Sequence, residues 1–274
     1  MRIVSRFAPS PTGDLHLGHA YSAWLGRRLS DLWYLRFEDI DTTRCRHAFT
    51  ASILEDLTWL GLQWDGEIRH QSAHFSDYAT ALVKLQERSL LYPCFCTRQE
   101  IIQAQSAPHA PTSLYPGTCR ALGDAERSRR IEAGQPYALR LDTALACANM
   151  KNLKFFETGS GWVTAEPRRL GDVVLARKET PSSYHLCVVH DDALQGVTHV
   201  VRGEDLRDAT HIQVLLQRLL GYETPVYLHH RLLYGPDGKR LAKRDKAETL
   251  RSLRLKGTDP KDITRQFGSA PGFG

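Results

Sequence analysis

The sequence lacks several features that define large protein classes. No apolar run approaches the roughly 20 residues that cross a bilayer, and Met1–Arg6 contains none of the apolar core of a secretory signal. The common phosphate-loop patterns GxxxxGKS/T and GxGxxG are absent. Six cysteines without an export signal indicate reduced thiols or metal ligands rather than a disulfide framework. We therefore expect a cytoplasmic protein with no membrane partner.

Length and composition are those of a globular protein. Of 274 residues, 42% are hydrophobic and 24% are charged, which suits one large domain or a core with a smaller insertion. Residues 236–265 carry ten basic and five acidic side chains, and this excess equals the net charge of +5 of the whole chain. The segment is either a solvated basic helix or a surface that binds the phosphates of a nucleotide or of RNA.

Hydrophobic periodicity predicts strands that alternate with helices, as in an α/β fold whose parallel sheet is joined by crossover helices. The predicted strands are 3–8, 34–37, 198–202 and 227–234, and the predicted helices are 16–29, 49–60, 75–85 and 209–220. Between 93 and 180 the pattern changes to short strands and a segment rich in Cys, Pro, Ser and Ala. We therefore expect a split core of 1–92 and 181–235, an insertion of 93–180 and a tail of 236–274.

The first predicted strand runs directly into a helix through the sequence FAPSPTGDLHLGH, residues 7–19. A helix N-terminus offers unpaired N–H groups and a partial positive charge, which suit a polyphosphate. His16 and His19 lie on one side of the first turn and can donate to phosphate oxygens, while Gly18 leaves room for a flat base beside the backbone. Two histidines alone are more often incidental, but the whole string in this position is far more specific.

Four segments together resemble the signatures of one enzyme family. Residues 7–19 resemble its HIGH signature in the glutamate-type form, 36–41 its RIEDTD segment, 199–205 its THVIRGEE segment, and 239–244 the KLSKR form of its KMSKS loop. On this resemblance, the chain is identified as a member of the class I aminoacyl-tRNA synthetases of the glutamate type. The resemblance implies a Rossmann-like parallel-sheet catalytic core, a zinc-containing insertion and a short C-terminal segment similar to the family's stem-contact region.

The resemblance implies amino-acid activation, in which the substrate's carboxylate attacks the α-phosphorus of ATP. The protein supplies no nucleophile; it positions two anions and neutralises the departing pyrophosphate, with Mg²⁺ sharing that task. His16, His19 and Lys243 are then the catalytic residues. The implied ATP site consists of His16, Gly18, His19, Lys243 and Arg244. Ala242 stands where the family usually carries serine, so the loop lacks one hydroxyl that could bond phosphate.

Glutamate carries two carboxylates and one ammonium, so a specific pocket needs cationic forks and an anion. By the resemblance, Arg6 and Arg202 take the carboxylates, Glu38 meets the ammonium and Tyr184 donates its hydroxyl. The implied glutamate site consists of Arg6, Phe7, Ala8, Pro9, Ser10, Glu38, Tyr184 and Arg202. His185, Asp191 and Asp192 either support this site or are ordinary turn residues.

The insertion contains three cysteines, Cys94, Cys96 and Cys119, whose spacing would allow them to bind tetrahedral zinc. The family resemblance implies Tyr115 as the fourth ligand, with His109 as the rival, and buried free thiols are the alternative to any metal site. A zinc ion here would order the insertion rather than take part in catalysis. The remaining cysteines are expected to be structural: Cys45, Cys147 and Cys187.

The chain ends soon after the Lys243 loop, and we expect no anticodon-binding domain. The short branch of the family with this architecture activates glutamate without tRNA and transfers it to the queuosine base of tRNA(Asp), which makes L-glutamate, ATP and tRNA(Asp) the implied partners; no DNA partner is expected. Three alternatives remain. They are a truncated glutamyl-tRNA synthetase that charges a 3′ end, a non-catalytic paralogue that binds tRNA or protein, and a nucleotidyltransferase with the same fold.

Overall fold

The computed structural model describes residues 2–105, 114–233 and 248–268, without the side chains of 103–105. The strands are β1 (Val4–Phe7), β2 (Leu32–Phe37), β3 (Arg69–His70), β4 (Leu91–Cys94), β5 (Ala138–Leu141), β6 (Lys154–Glu157), β7 (Gly161–Thr164), β8 (Val174–Arg177), β9 (His199–Gly203) and β10 (Val226–His230). The α-helices are α1 (Leu17–Leu29), α2 (His47–Trp59), α3 (Phe75–Glu87), α4 (Arg98–Gln105), α5 (Asp124–Glu132), α6 (Thr143–Ala146), α7 (Tyr184–Leu194), α8 (Arg207–Leu220), α9 (Leu250–Leu255) and α10 (Pro260–Arg265). Among these residues, no helix combines the length and apolarity needed to span a bilayer.

Two groups of strands form the core, and their pairs are parallel except for β6 with β7, which is antiparallel; this confirms the predicted α/β class. One has the order β1-β2-β3 and the other β7-β6-β10-β9. The amide of Thr198, just before β9, donates to the carbonyl of Val4 at 2.9 Å, so β9 begins beside β1. From this junction of β1 and β9, β2 and β3 extend the core on one side, and β10, β6 and β7 extend it on the other. Such a reversal in strand order leaves a crevice at the carboxyl ends of the strands, where α/β folds bind ligands.

Apolar burial explains why the predicted helices form where they do. On α8, the predicted inward side chains Ile212, Leu215, Leu216 and Leu219 are buried. The helix ends at Gly221, whose φ of +75° is the left-handed conformation that glycine adopts without a Cβ clash. On β2, Trp33, Leu35 and Phe37 share one face of the strand and have no exposed surface, so that face packs into the core.

The segment predicted as an insertion contributes to two sheets. Strands β4, β5 and β8 form a separate antiparallel sheet. Strand β6, however, is parallel to β10, with Tyr227 opposite Glu157, and β7 pairs with β6. The core sheet is therefore completed by residues that lie between 93 and 180 in sequence, and the boundary of the insertion stays a prediction.

One predicted strand is shorter than expected. The sequence predicted a strand over 227–234, but β10 ends at His230, which lies opposite Gly203, the last residue of β9. Beyond Gly203 the neighbouring chain turns into a short 3-10 helix, Glu204–Leu206, so β10 has no partner to extend along. Residues 231–233 are therefore irregular, and Tyr234 lies outside the described residues.

The C-terminal helices return to the start of the chain. The amide of Leu250 donates to the carbonyl of Leu15 at 2.8 Å, and Thr249 forms an isolated bridge with His16. Phe267 packs on Tyr21, with ring centroids 5.3 Å apart. Thr249 and Leu250 therefore lie beside His16, the first histidine of the HIGH-like segment.

An ion pair holds α9 against α2. Arg254 Nε donates to Asp56 Oδ1 at 3.1 Å, and a terminal nitrogen of Arg254 donates to Glu55 at 2.7 Å. Asp56 has no exposed surface. Burial raises its pKa to about 6, although Arg254 opposes that rise.

We expect Arg254→Ala to lower the free energy of unfolding by about 1–3 kcal/mol at pH 8, and by less at pH 5. Because the folded-state pKa of Asp56 lies above its unfolded value near 3.9, its contribution to stability is fully present below about pH 4 and is lost as the pH rises through about 6. Without Arg254 the buried carboxylate has lost its ion pair at pH 8, whereas at pH 5 it can take a proton.

Urea unfolding at both pH values measures the difference. The matched control is Arg265→Ala, because Arg265 pairs with Asp262 on the exposed surface, with 74% and 58% of the two side chains accessible. Its effect should stay within about 0.5 kcal/mol at either pH. An Arg254→Ala effect as large at pH 5 as at pH 8 would contradict the assignment.

Candidate active site

A cavity of about 410 Å³ opens at the carboxyl ends of β1, β9 and β10, beside the start of α1. Every predicted glutamate or ATP residue that the structure describes lines it: Arg6, Phe7, Ala8, Pro9, Ser10, His16, Gly18, His19, Glu38, Tyr184 and Arg202. Lys243, Arg244 and Ala242 lie outside the described residues. Residues from four separate stretches of the chain therefore meet at the crevice that the strand order creates.

The two histidines form the N-terminal cap of α1. The Nδ1 of His16 accepts from the Gly18 amide at 3.1 Å, and the Nδ1 of His19 accepts from the His16 amide at 3.3 Å. Their ring centroids are 3.8 Å apart. Because each Nδ1 accepts, the proton of each neutral ring resides on Nε2. Capping therefore fixes both imidazoles as Nε2–H donors at a helix N-terminus that favours anions.

Buried charges surround the end of β1. Arg6, only 5% exposed, donates its Nε–H to Asp192 Oδ1 at 2.8 Å. Arg36 has no exposed surface and forms an ion pair with the same oxygen at 2.8 Å. Although burial opposes ionisation, the two guanidinium groups hold the pKa of Asp192 below its ordinary value. This carboxylate therefore stays charged and fixes Arg6 at the cavity wall.

Asp191 and Asp192 lie in helix α7, so the alternative that they are turn residues is wrong. Asp191 is completely buried and accepts from Arg69 Nε and Gln71 Nε2 at 2.8 Å each, and from Tyr78 at 3.0 Å. It thereby connects α7 to β3 and α3. The two adjacent carboxylates order the wall of the cavity from behind.

Glu38 is the carboxylate that lines the cavity beside these arginines. Its Oε1 lies 3.9 Å from Arg36 and its side chain is 12% exposed. Burial raises the pKa of Glu38 to about 7, against the opposing charges of Arg36 and Arg6. An added cation at this position would favour the charged carboxylate.

Arg202 approaches from β9 on the other side of the cavity. Its Nε donates to His229 Nε2 at 3.1 Å, one terminal nitrogen donates to Thr210 at 2.7 Å, and the other donates to the Tyr184 hydroxyl at 3.4 Å. The side chain is thus held by β10, α8 and α7 together. Two buried arginines, one carboxylate and one phenol share the cavity.

A second, larger cleft of about 710 Å³ adjoins the first, and both are lined by Ser10, Glu38 and Tyr184. It runs between the core and the β4-β5-β8 sheet. Its charged lining residues include Asp41, Arg44, Arg140, Asp172 and Arg177. His185 also lines it, and burial lowers the pKa of that imidazole to about 4, so the ring is neutral at pH 7.

The three predicted zinc cysteines come together in the structure. The thiol sulfurs of Cys94, Cys96 and Cys119 all lie within 4.8 Å of one another. The Tyr115 hydroxyl is 3.3 Å from Cys94 and 3.6 Å from Cys96. Three soft sulfur donors and one oxygen, converging from two chain segments, fit a tetrahedral zinc site. His109 lies outside the described residues.

Sequence reasoning missed two groups of buried residues behind the cavity. Arg36 begins the 36–41 segment, and strand alternation, which places it on the same face as Glu38, is the signal that could have identified it. Glu157 and His229 carried no local signal, because 72 positions separate the two residues that hydrogen-bond.

Comparison with known proteins identifies the family. The family described as tRNA synthetases class I (E and Q), catalytic domain, matches residues 2–268. A glutamyl-Q tRNA(Asp) synthetase of Rhodobacter capsulatus is 48% identical, over 97% of this chain and 100% of that protein. The corresponding protein of Nocardia farcinica is 44% identical over 95% of this chain and 82% of that protein. A glutamate–tRNA ligase of Aquifex aeolicus is 35% identical over 96% of this chain but only 56% of that protein.

Solved structures agree on the fold. A glutamate-tRNA synthetase of Elizabethkingia anophelis superposes with a TM-score of 0.82 at 24% identity, over 97% of this chain and 61% of that chain. By its catalytic domain and its full-length relatives, the chain belongs to the class I tRNA synthetases, within the glutamyl-Q tRNA(Asp) synthetase family, and is a ligase of the aminoacyl-tRNA synthetase type.

Proposed function

We propose that the enzyme activates L-glutamate with ATP to glutamyl-adenylate without tRNA, and then transfers glutamate to the queuosine base of tRNA(Asp). One observation carries the first step. Two buried arginines and one carboxylate share a cavity with a histidine-capped helix N-terminus. A small amino acid with two carboxylates and a polyphosphate can therefore be held side by side. The names of the relatives support the acceptor.

The cavity matches the charges of glutamate. Arg6 and Arg202 are buried, so ion pairs with the two substrate carboxylates form away from water and are strengthened. Glu38 takes the ammonium, and the Tyr184 hydroxyl adds a hydrogen bond. Because Asp192 occupies Nε of Arg6, the terminal nitrogens of that guanidinium are the donors for substrate.

The N-terminus of α1 and the loop that contains Lys243 bind different parts of ATP. His16 and His19 direct Nε2–H donors at the phosphates, and Gly18 borders the same space. The glutamate α-carboxylate attacks the α-phosphorus, the bond to the bridging oxygen breaks, and pyrophosphate leaves. Lys243 and Arg244 neutralise the departing charge, and Mg²⁺ bound with ATP would share that task.

The second cleft gives the acceptor a route to the adenylate. It reaches the glutamate position through Ser10, Glu38 and Tyr184, and the three arginines in its lining offer donors for RNA phosphates. A hydroxyl of the cyclopentene diol of queuosine attacks the activated carbonyl, which forms an ester and releases AMP. Zinc on Cys94, Cys96, Tyr115 and Cys119 would supply structural order to the wall of this cleft, since Tyr115 lines it.

Transfer of labelled glutamate to tRNA(Asp), with and without queuosine, tests this function. We expect pyrophosphate exchange that depends on glutamate and needs no tRNA, followed by label on the modified base alone. Alkaline release and nuclease digestion locate the label. Label at the 3′ end would support the alternative of a divergent glutamyl-tRNA synthetase, and absence of exchange would support a non-catalytic tRNA- or protein-binding paralogue.

We expect Lys243→Ala to slow adenylate formation by about 10²-fold or more, because one transition-state contact is lost. The measurement is glutamate-dependent pyrophosphate exchange. Lys256→Ala is the matched control, since Lys256 is an exposed lysine that pairs with Glu248 after the same loop. Equal rates in the two variants would reject a catalytic role for Lys243.

The KM for glutamate should rise as the pH falls below about 7, approaching tenfold per pH unit, while the KM for ATP changes less. Glu38 must be ionised to bind the ammonium, and its pKa near 7 means that the charged form is lost on the acid side. Steady-state kinetics from pH 6 to 8.5 measure this. Glu38→Gln should show a high KM at every pH; a pH-dependent KM in that variant would assign the titration elsewhere.

Purified protein should contain about one zinc ion per chain, measured by metal analysis, because the four donors form one tetrahedral set. Cys119→Ser should lose the metal and lower the Tm, because zinc joins two chain segments. Cys147→Ser, a cysteine outside the cluster, should keep both metal and Tm. Zinc retained at full stoichiometry in Cys119→Ser would contradict the ligand assignment.

A further inference from the structure

A buried row of hydrogen bonds lies behind Arg202. Glu157 on β6 is 1% exposed, and its Oε2 is 2.7 Å from His229 Nδ1. The opposite ring nitrogen, His229 Nε2, is 3.1 Å from Arg202 Nε. Carboxylate, imidazole and guanidinium therefore follow one another in a line that ends at the cavity.

The order of protons in this row can be deduced from Arg202. A guanidinium nitrogen can only donate, so His229 Nε2 must accept and carries no proton. The ring proton then resides on Nδ1 and is donated to Glu157. Thr210 agrees with this order, since its oxygen accepts from Arg202 at 2.7 Å and its hydroxyl can donate to His229 Nε2 at 3.2 Å.

Glu157 accepts hydrogen bonds at both carboxylate oxygens, which a glutamine amide could not do. Its Oε1 accepts from the His229 backbone amide at 3.0 Å, while Oε2 accepts from the ring of the same residue. Arg207 also approaches Oε1, at 3.4 Å. Both oxygens therefore receive donors, and glutamine at this position would turn an N–H toward one of them.

We infer that Glu157 and His229 are positioning residues that hold Arg202 in the orientation in which it binds the substrate carboxylate. The inference rests on the proposed function, because the ligand of Arg202 is taken to be glutamate. Glu157 accepts the Nδ1 proton of His229, which leaves Nε2 as an acceptor for Arg202 behind the cavity. Arg202 then presents its remaining N–H groups to the substrate carboxylate in the cavity. Neither residue touches the substrate.

Substitutions of His229 with side chains of different reach test this role. In His229→Gln, the amide oxygen can take the place of Nε2 and accept from Arg202. In His229→Asn, the shorter amide can reach Glu157 but not Arg202. We expect the KM for glutamate to rise about tenfold or more in His229→Asn, His229→Ala and Glu157→Gln, because a hydrogen bond to a charged group is lost. The value for His229→Gln should return to within about threefold of the wild type.

The kinetic pattern separates positioning from structure. Arg202 holds glutamate equally in ground and transition states, so kcat and the KM for ATP should change little. His211→Gln is the matched control, because His211 is a buried histidine that accepts from the Glu166 amide and lies outside this row. It should match the wild type. Thermal unfolding of each variant identifies any that fail to fold.

Two results would overturn the inference. One is a wild-type KM for glutamate in folded His229→Asn, or an equal rise in His229→Asn and His229→Gln. The other is an Nε2-protonated or doubly protonated His229 at pH 7 in the ¹⁵N spectrum of the wild type, in which we expect the Nδ1–H tautomer. The spectrum needs no substrate. If the wild type made no glutamyl-adenylate, the proposed function would be wrong. The tautomer of His229 would still test the hydrogen-bond order independently.

Discussion

Asp192 pairs with Arg6 and Arg36 in the interior of the protein, and the candidate site depends on this contact. Both distances are 2.8 Å, and the three side chains come from α7, β1 and β2. Charges taken out of water are costly unless each has a partner, and removal of one partner from a buried pair typically destabilises by about 3–5 kcal/mol. The geometry of the first strands and of α7 is therefore tied to the presence of all three charges.

The same charges set the chemistry of the cavity. Because Asp192 neutralises Arg6 and Arg36 only in part, the wall remains suited to an anion, and Glu38 sits close enough to meet a cation. Burial raises the pKa of Glu38 to about 7, and a bound cation would favour its charged form. The proposed substrate, with two carboxylates and an ammonium, would pair with these charges.

Two neighbouring spaces suit a reaction in two steps. The smaller cavity joins the histidine-capped helix to the arginines, and the larger cleft meets it at Ser10, Glu38 and Tyr184. The 1–92 and 181–235 stretches supply most of the first space. Tyr115, which lies beside the cysteine cluster, and residues of β5 and β8 line the second. In the proposed reaction, activation would take place in the smaller cavity and transfer in the larger cleft, and the glutamyl group would lie where the two meet.

Local sequence determined several core elements and most of the lining of the cavity. Apolar spacing placed α1, α3 and α8 because a buried helical face repeats every three to four residues, and the signature segments located His16, Glu38 and Arg202. Tertiary structure alone decided what lies behind them. Glu157 joins His229 across 72 positions, and β6 enters the core sheet from a segment whose sequence predicted an insertion. Hydrogen bonds and strand pairing between distant residues leave no period in the sequence, so only the folded chain reveals them.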